Sequence, residues 1–339
     1  MVSSHRLLTL GSLATLALAL PSTHHHQRPL EDNSRTNDDD DDYHPTPLPL
    51  VIWHGLGDSY GNEGLQSVAE LAEAVHPGTL VHIVSQGADP NADQRATFWG
   101  NVNEQIDALC ATLAADPIIS TAPAIDALGF SQGGQFLRGW VERCNSPPVR
   151  NLVTFGSQHN GIVEFSTCAP TNWLCRGAMA VLRGNVWSAY VQSNLVPAQY
   201  YRPPGEFETY LENSNFLADI NNEREKKSKE YKRQLASLDN FVMYMFDDDK
   251  TVIPRETGWF AEVNGTEITP LRSRPIYKED WLGLKELDRK GGLHFRTTPG
   301  EHMQLDEVTL NNTFREFFGP LSKHKKTASF GKAGPTDEL

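Results

Sequence analysis

Hydrophobic residues along this chain fall in short, dense runs separated by segments of helical length. The runs cover residues 48–53 (LPLVIW), 80–84 (LVHIV), 122–128 (APAIDAL), 151–155 (NLVTF), 241–246 (FVMYMF) and 293–297 (LHFRT). Runs of this length bounded by turn-forming residues predict strands, the early ones buried on both faces. Residues 135–144 follow a helical pattern. The alternation predicts an α/β domain built on a mostly parallel sheet with helices on both faces. Between about 168 and 236 the rhythm changes to helical stretches rich in Trp, Tyr, Leu and Val, at 172–182, 187–199 and 210–235. This segment reads as an inserted helical cap. Val186, Trp187, Tyr190, Val191 and Leu195 share one helical stripe, which either packs on the main domain or lines a groove.

The strand predicted at 122–128 ends in Gly129-Phe130-Ser131-Gln132-Gly133-Gly134, and a helix follows. Gly-x-Ser-x-Gly between strand and helix is the nucleophile elbow of the α/β-hydrolase fold, with small residues flanking a strained turn. A serine hydroxyl is a poor nucleophile at neutral pH and needs a base held by a carboxylate. In this fold the order is Ser, then Asp or Glu, then His. His302 follows the last predicted strand in the loop Pro299-Gly300-Glu301-His302, whereas His294 lies within that strand. Asp247, Asp248 and Asp249 come directly after the strand at 241–246, and any one of them answers the requirement. The first strand ends in His54-Gly55-Leu56-Gly57-Asp58-Ser59, a turn suited to presenting backbone N–H groups. The oxyanion-hole candidates are therefore the amides of Leu56 and Gln132.

The segments VIWHGLGDS (51–59), ALGFSQGGQFLRG (127–139), FLADINNE (216–223), FVMYMF with DDDKTVIP (241–254), and DWLGLKELD through GEHMQL (280–305) run in that order along the chain. Together they resemble the palmitoyl-protein thioesterases of the lysosomal type, over roughly residues 48 to 319. The resemblance implies Ser131 as nucleophile, Asp249 as the acid, five residues before Pro254, and His302 as base. The substrates would be S-acylated proteins or peptides, with no metal or organic cofactor. The cap would line an apolar groove for a long acyl chain, with Trp187, Tyr190, Val191 and Leu195 as candidates. FLADIN carries no catalytic logic and serves as a marker of the family. Leu56 stands where the family can carry methionine, a swap that a main-chain donor survives. An oxygen-ester lipase or esterase would share the fold and triad, and a non-catalytic lipid-binding shell would keep only the fold.

With 339 residues and 39% hydrophobic content the chain can bury one sizeable core. Residues 1–19 read as a signal peptide, with an apolar run too short to span a bilayer comfortably. Residues 20–46 form an acidic arm expected to be disordered. Within it, 31–44 hold seven acidic side chains and one arginine, so −6 of the −13 net charge sits in a solvated linker. The hydrolase domain is expected at 47–320 and a flexible tail at 321–339. Nothing in the charge pattern points to nucleic acid or to a stable membrane span. Four cysteines in a secreted chain suggest disulfides, with three pairings open. The resemblance favours Cys110–Cys144 and Cys168–Cys175. Asn264 and Asn311 begin glycosylation sequons. The family's expectation is a lysosomal or vacuolar home, while the terminal Thr-Asp-Glu-Leu leaves retention in the endoplasmic reticulum open.

Overall fold

The computed structural model describes residues 46–321 apart from 166, 167, 169, 172, 183 and 184. The expected signal peptide, nearly all of the acidic arm and the tail beyond Leu321 lie outside the described residues. The chain begins with β1 (Leu50–Trp53), α1 (Glu63–Val75), β2 (Val81–Ile83), α2 (Pro90–Ala96) and α3 (Val102–Ala115). Then β3 (Ile125–Phe130) runs into α4 (Gln132–Arg143), followed by β4 (Val149–Phe155). Between β4 and β5 (Asn240–Phe246) lie α5 (Trp173–Leu182), α6 (Ala189–Asn194), α7 (Phe207–Asn213), α8 (Leu217–Ile220) and α9 (Lys229–Ala236). A hairpin of β6 (Glu262–Asn264) and β7 (Glu267–Thr269), then α10 (Pro275–Lys278) and α11 (Leu284–Arg289), precede β8 (Leu293–Thr298) and α12 (Glu307–Phe317).

The main sheet has six strands in the order β2-β1-β3-β4-β5-β8, every neighbouring pair parallel. Successive side chains of a strand face opposite sides, so each strand feeds two cores. Val51 and Trp53 of β1 join the cluster under α3 and α4, with Ile106, Phe136 and Trp140. Leu50 and Ile52 point the other way and join Leu65 of α1 and Leu310 and Phe314 of α12. The central strands have no wet face, which is why their sequences are continuous apolar runs.

The strands of the main sheet were legible in the sequence to within a few residues, but two helices were not. The stretch 187–199 is a short α6 followed by a 3-10 turn at Val196–Tyr200, because Leu195 is extended and Pro197 cannot donate a helical hydrogen bond. The stretch 210–235 divides into α7, α8 and α9. Asn222, at φ 55°, stands in the gap before α9, in the left-handed conformation asparagine tolerates best. The β6–β7 hairpin was also unexpected. Its signal was Asn264-Gly265 between β-formers, and Gly265 takes φ 61° in the two-residue turn. The cysteines pair as Cys110–Cys144, joining α3 to the end of α4, and Cys168–Cys175, tying the chain before α5 to that helix.

Candidate active site

Parallel pairing brings the carboxyl ends of β1, β3, β4, β5 and β8 to one edge of the sheet, and the loops that leave them converge on Ser131. Helix α4 starts directly after this residue, three positions earlier than the apolar pattern indicated. Ser131 has φ 53° and ψ −127°, a conformation that persists only when the surroundings hold it. Its N–H donates to the Phe155 carbonyl at 2.8 Å, which pins the turn to the end of β4. A Cβ on Gly129 would collide with the backbone of Gly134, and one on Gly133 with the carbonyls of Trp53 and His54. The glycines are thus required by close packing of the helix start against two strands.

His302 Nε2 lies 3.0 Å from Ser131 Oγ, and Nδ1 lies 2.7 Å from Asp249 Oδ2. The other carboxylate oxygen of Asp249 accepts the amides of Thr251 and Val252 at 2.8 and 3.0 Å, so the group is held on both sides. Asp247 and Asp248 are exposed, while the Asp249 side chain is 1% exposed. With a carboxylate accepting from Nδ1, the ring presents a bare Nε2 to the hydroxyl, the state in which imidazole takes a proton. His294 is occupied elsewhere: Nε2 is 2.9 Å from Asn240 Oδ1, and the ring meets Phe317 edge-on.

Gln132 is the first residue of α4, where the amide has no partner within the helix. Leu56 sits in the loop after β1 and lines the cavity beside Ser131. Among the described residues neither the Leu56 nor the Gln132 amide has an acceptor. A substrate oxygen would therefore meet two unspent donors, one of them at the positive end of a helix.

A cavity of about 970 Å³ opens at Ser131 and His302. Its lining includes Leu65, Val68, Leu71 and Leu310 from α1 and α12, and Phe165, Met179, Pro197, Tyr200 and the Cys168–Cys175 disulfide from the segment between β4 and β5. The four groove candidates read from the helical stripe do not line it. Val191 and Leu195 are buried in a separate apolar cluster with Phe98 and Leu182. Trp187 donates to Glu206 at 2.6 Å and packs on Tyr201, and Tyr190 is 65% exposed. The single stripe does not form: only Tyr190 and Val191 lie in α6, Tyr190 faces outward, and Val191 and the extended Leu195 pack inward rather than opening on the site. The residues that do line the cavity on α1 were missed because Leu65, Val68, Leu71 and Ala74 read as an ordinary packing face. Of the sequon asparagines, Asn264 is exposed at the hairpin turn, and Asn311 is half-buried on α12 with Oδ1 accepting from Arg315 at 2.6 Å.

The FLADINNE segment has a structural role. Asn221 Oδ1 accepts from Arg138 of α4 at 2.8 Å, and Asp219 pairs with Arg143 at 2.7 Å. Glu223 pairs with Arg202 at 2.8 Å and accepts from Tyr210 Oη at 2.6 Å, all three side chains being buried. Burial alone would raise the Glu223 carboxyl, but Arg202 and Arg274 outweigh it and hold it below the ordinary value. The motif fastens the helical segment to the back of the helix that carries Gln132.

A six-stranded parallel sheet whose third strand turns through a strained serine into a buried helix is the arrangement of an α/β-hydrolase. Comparisons with known proteins narrow the class. A family model described as palmitoyl protein thioesterase matches residues 49–302. Palmitoyl-protein thioesterase 1 of Caenorhabditis elegans is 37% identical over 276 residues, covering 80% of this chain and 92% of that protein. Palmitoyl-protein thioesterase 3 of Dictyostelium discoideum is 34% identical over 258 residues, covering 75% and 84%. More distantly, the lysosomal thioesterase PPT2 of Homo sapiens is 23% identical over 252 residues, covering 72% and 78%. The chain belongs to the palmitoyl-protein thioesterase family, and it is a hydrolase.

Proposed function

We propose that the protein removes long-chain fatty acyl groups such as palmitate from thioester-linked cysteines of proteins or peptides, by a Ser-His-Asp acyl-enzyme route. The observation that carries this reading is the Ser131–His302–Asp249 relay beside a cavity of about 970 Å³ lined largely by apolar side chains. His302 takes the Ser131 proton as Oγ attacks the thioester carbonyl, and Asp249 stabilises the imidazolium that forms. The oxyanion collects hydrogen bonds from the amides of Leu56 and Gln132. The tetrahedral adduct collapses, the C–S bond breaks, and the cysteine leaves as a thiol with its sulfur protonated by His302, which returns to its neutral form. Water, deprotonated by His302, then attacks the acyl-Ser131 ester and frees the fatty acid.

An apolar cavity suits an acyl chain because each buried methylene contributes about 0.8 kcal/mol. Relatives named as lysosomal support a lysosomal home, and two disulfides agree with an oxidising lumen. Among the described residues no helix is long and apolar enough to cross a membrane. The test is the turnover of a palmitoyl-cysteine peptide against the oxygen ester of the same chain. A clear thioester preference supports the proposal; a clear oxygen-ester preference replaces it with a lipase or esterase on the same fold.

A further inference from the structure

We propose that Thr97 is a positioning residue that sets the spacing between the two oxyanion amides, and that the buried Asp93–His54 pair anchors the loop it grips. The proposal rests on Ser131 acting as the acyl-transfer nucleophile. Thr97 caps the carboxyl end of α2 and is buried. Its Oγ1 accepts the Gly57 N–H at 2.8 Å and donates to the Gln94 carbonyl at 2.7 Å. Its own carbonyl accepts from Gln132 Nε2 at 3.2 Å. Gly57 follows Leu56, and Gln132 supplies the second donor, so one residue contacts the neighbour of the first donor and the side chain of the residue that carries the second.

The neighbouring contacts all restrain the same two positions. Gln94 Nε2 donates to the Gly57 carbonyl at 2.7 Å, which fixes Gly57 at its N–H and its C=O. Gly57 itself holds φ 80°. The Gln132 side chain is gripped from the far side by Tyr200 Oη, which donates to Oε1 at 3.1 Å. One turn earlier in α2, Asp93 Oδ2 accepts from His54 Nε2 at 2.9 Å and from the Tyr60 amide at 2.7 Å. Asp93 Oδ1 accepts the Gln86 amide at 2.6 Å. Burial alone would raise the Asp93 carboxyl, but His54 and the two amides outweigh it and hold it low.

The loop from His54 to Tyr60 is therefore tied at both ends to one carboxylate and in the middle to Thr97 and Gln94. A buried His–Asp pair is costly to desolvate, and packing alone would be served by apolar residues. Oxyanion donors work only where they are held in advance at the place the charge develops. The Thr97 bridge supplies that restraint without touching the reacting atoms.

Thr97→Val keeps the shape and removes the hydroxyl. It is expected to lower kcat about tenfold to a hundredfold, less than the roughly 10²–10³ that deleting a whole donor costs. KM should change by less than about threefold, because the substrate's ground state does not use the oxyanion geometry. Thr97→Ser, which restores the hydroxyl, recovers most of the loss, and Asp93→Asn moves in the same direction as Thr97→Val. Turnover is counted per active site, from end-point labelling with a fluorophosphonate, so an unfolded fraction does not register as slow catalysis. Wild-type kcat in Thr97→Val, a loss that Thr97→Ser fails to repair, or a change confined to KM would each overturn the proposal. If Asp93→Asn does not fold, the Thr97 pair decides alone. The assay uses a palmitoyl thioester and a short-chain oxygen ester. A wild type active only on the ester ends the thioesterase reading and leaves Thr97 tested on that substrate. A wild type that accepts neither substrate nor the label ends both.

Discussion

Asp249→Asn keeps the shape of the side chain and removes the charge that orients His302. With the relay in use, kcat on a palmitoyl thioester is expected to fall about 10³- to 10⁴-fold, while Asp247→Asn and Asp248→Asn leave it nearly unchanged. Steady-state kinetics on the three variants checks this. At this scale the sequence was partly legible. Ser131 was marked by its glycines, and His302 by its place in a loop after the last strand. The three adjacent aspartates were chemically equivalent in one dimension, and family resemblance was needed to choose among them. In three dimensions only Asp249 turns inward to accept the Thr251 and Val252 amides, and that loop geometry is what brings it to His302.

At the scale of elements, the cavity walls from α1 and from the segment between β4 and β5 give the sharpest prediction. Leu71→Trp on α1 and Met179→Trp on α5 each add bulk to the cavity lining from a different element. Displacing even two methylenes of a bound chain costs about 1.6 kcal/mol, or roughly a tenfold loss. Either variant should therefore lower kcat/KM for a sixteen-carbon acyl thioester at least that much more than for a four-carbon one. Leu195→Ala should instead cost about 2–5 kcal/mol of stability and change the chain-length ratio far less, because Leu195 is buried behind the cavity wall and does not line the cavity itself. Thermal unfolding beside a chain-length series separates the two effects. The strands were readable because burial on both faces writes an unbroken apolar run. Between β4 and β5 the helix at 172–182 was readable as α5, but the divisions of 187–199 and 210–235 were not, because helical periodicity shows which residues share a face without showing what that face meets. Pro197 was the available signal for the break, but tertiary contacts decide which side of each short helix turns toward Ser131.

Across the whole molecule, the polar network behind α4 ties stability to pH. Glu142 is fully buried, and burial pushes its carboxyl up to about 7 against the pull of Arg138, 2.8 Å away. Folding therefore takes up a proton between the unfolded value of 4.5 and about 7. The stability that follows is complete below the unfolded value and is lost as pH rises through the folded one. From pH 5 to pH 8 this group alone should remove on the order of 2 kcal/mol, and Glu142→Gln should flatten that slope. Denaturant unfolding at several pH values tests it, and a fold more stable in mild acid would fit a lysosomal home. The architecture was legible as a whole from the alternation of strands and helices. The network was not, since Arg138, Glu142, Asn221 and Glu223 read singly as surface residues until the fold closes around them.

The central claim, a long acyl chain passing through Ser131, is tested most directly by mixing the enzyme with a palmitoyl-cysteine peptide, quenching in acid and analysing the protein by mass spectrometry. The account predicts a palmitoyl ester on the peptide that contains Ser131, formed before the fatty acid is released and absent in Ser131→Ala, which does not turn over. Sustained thioester hydrolysis by Ser131→Ala, or an acyl group carried on another residue, would contradict it.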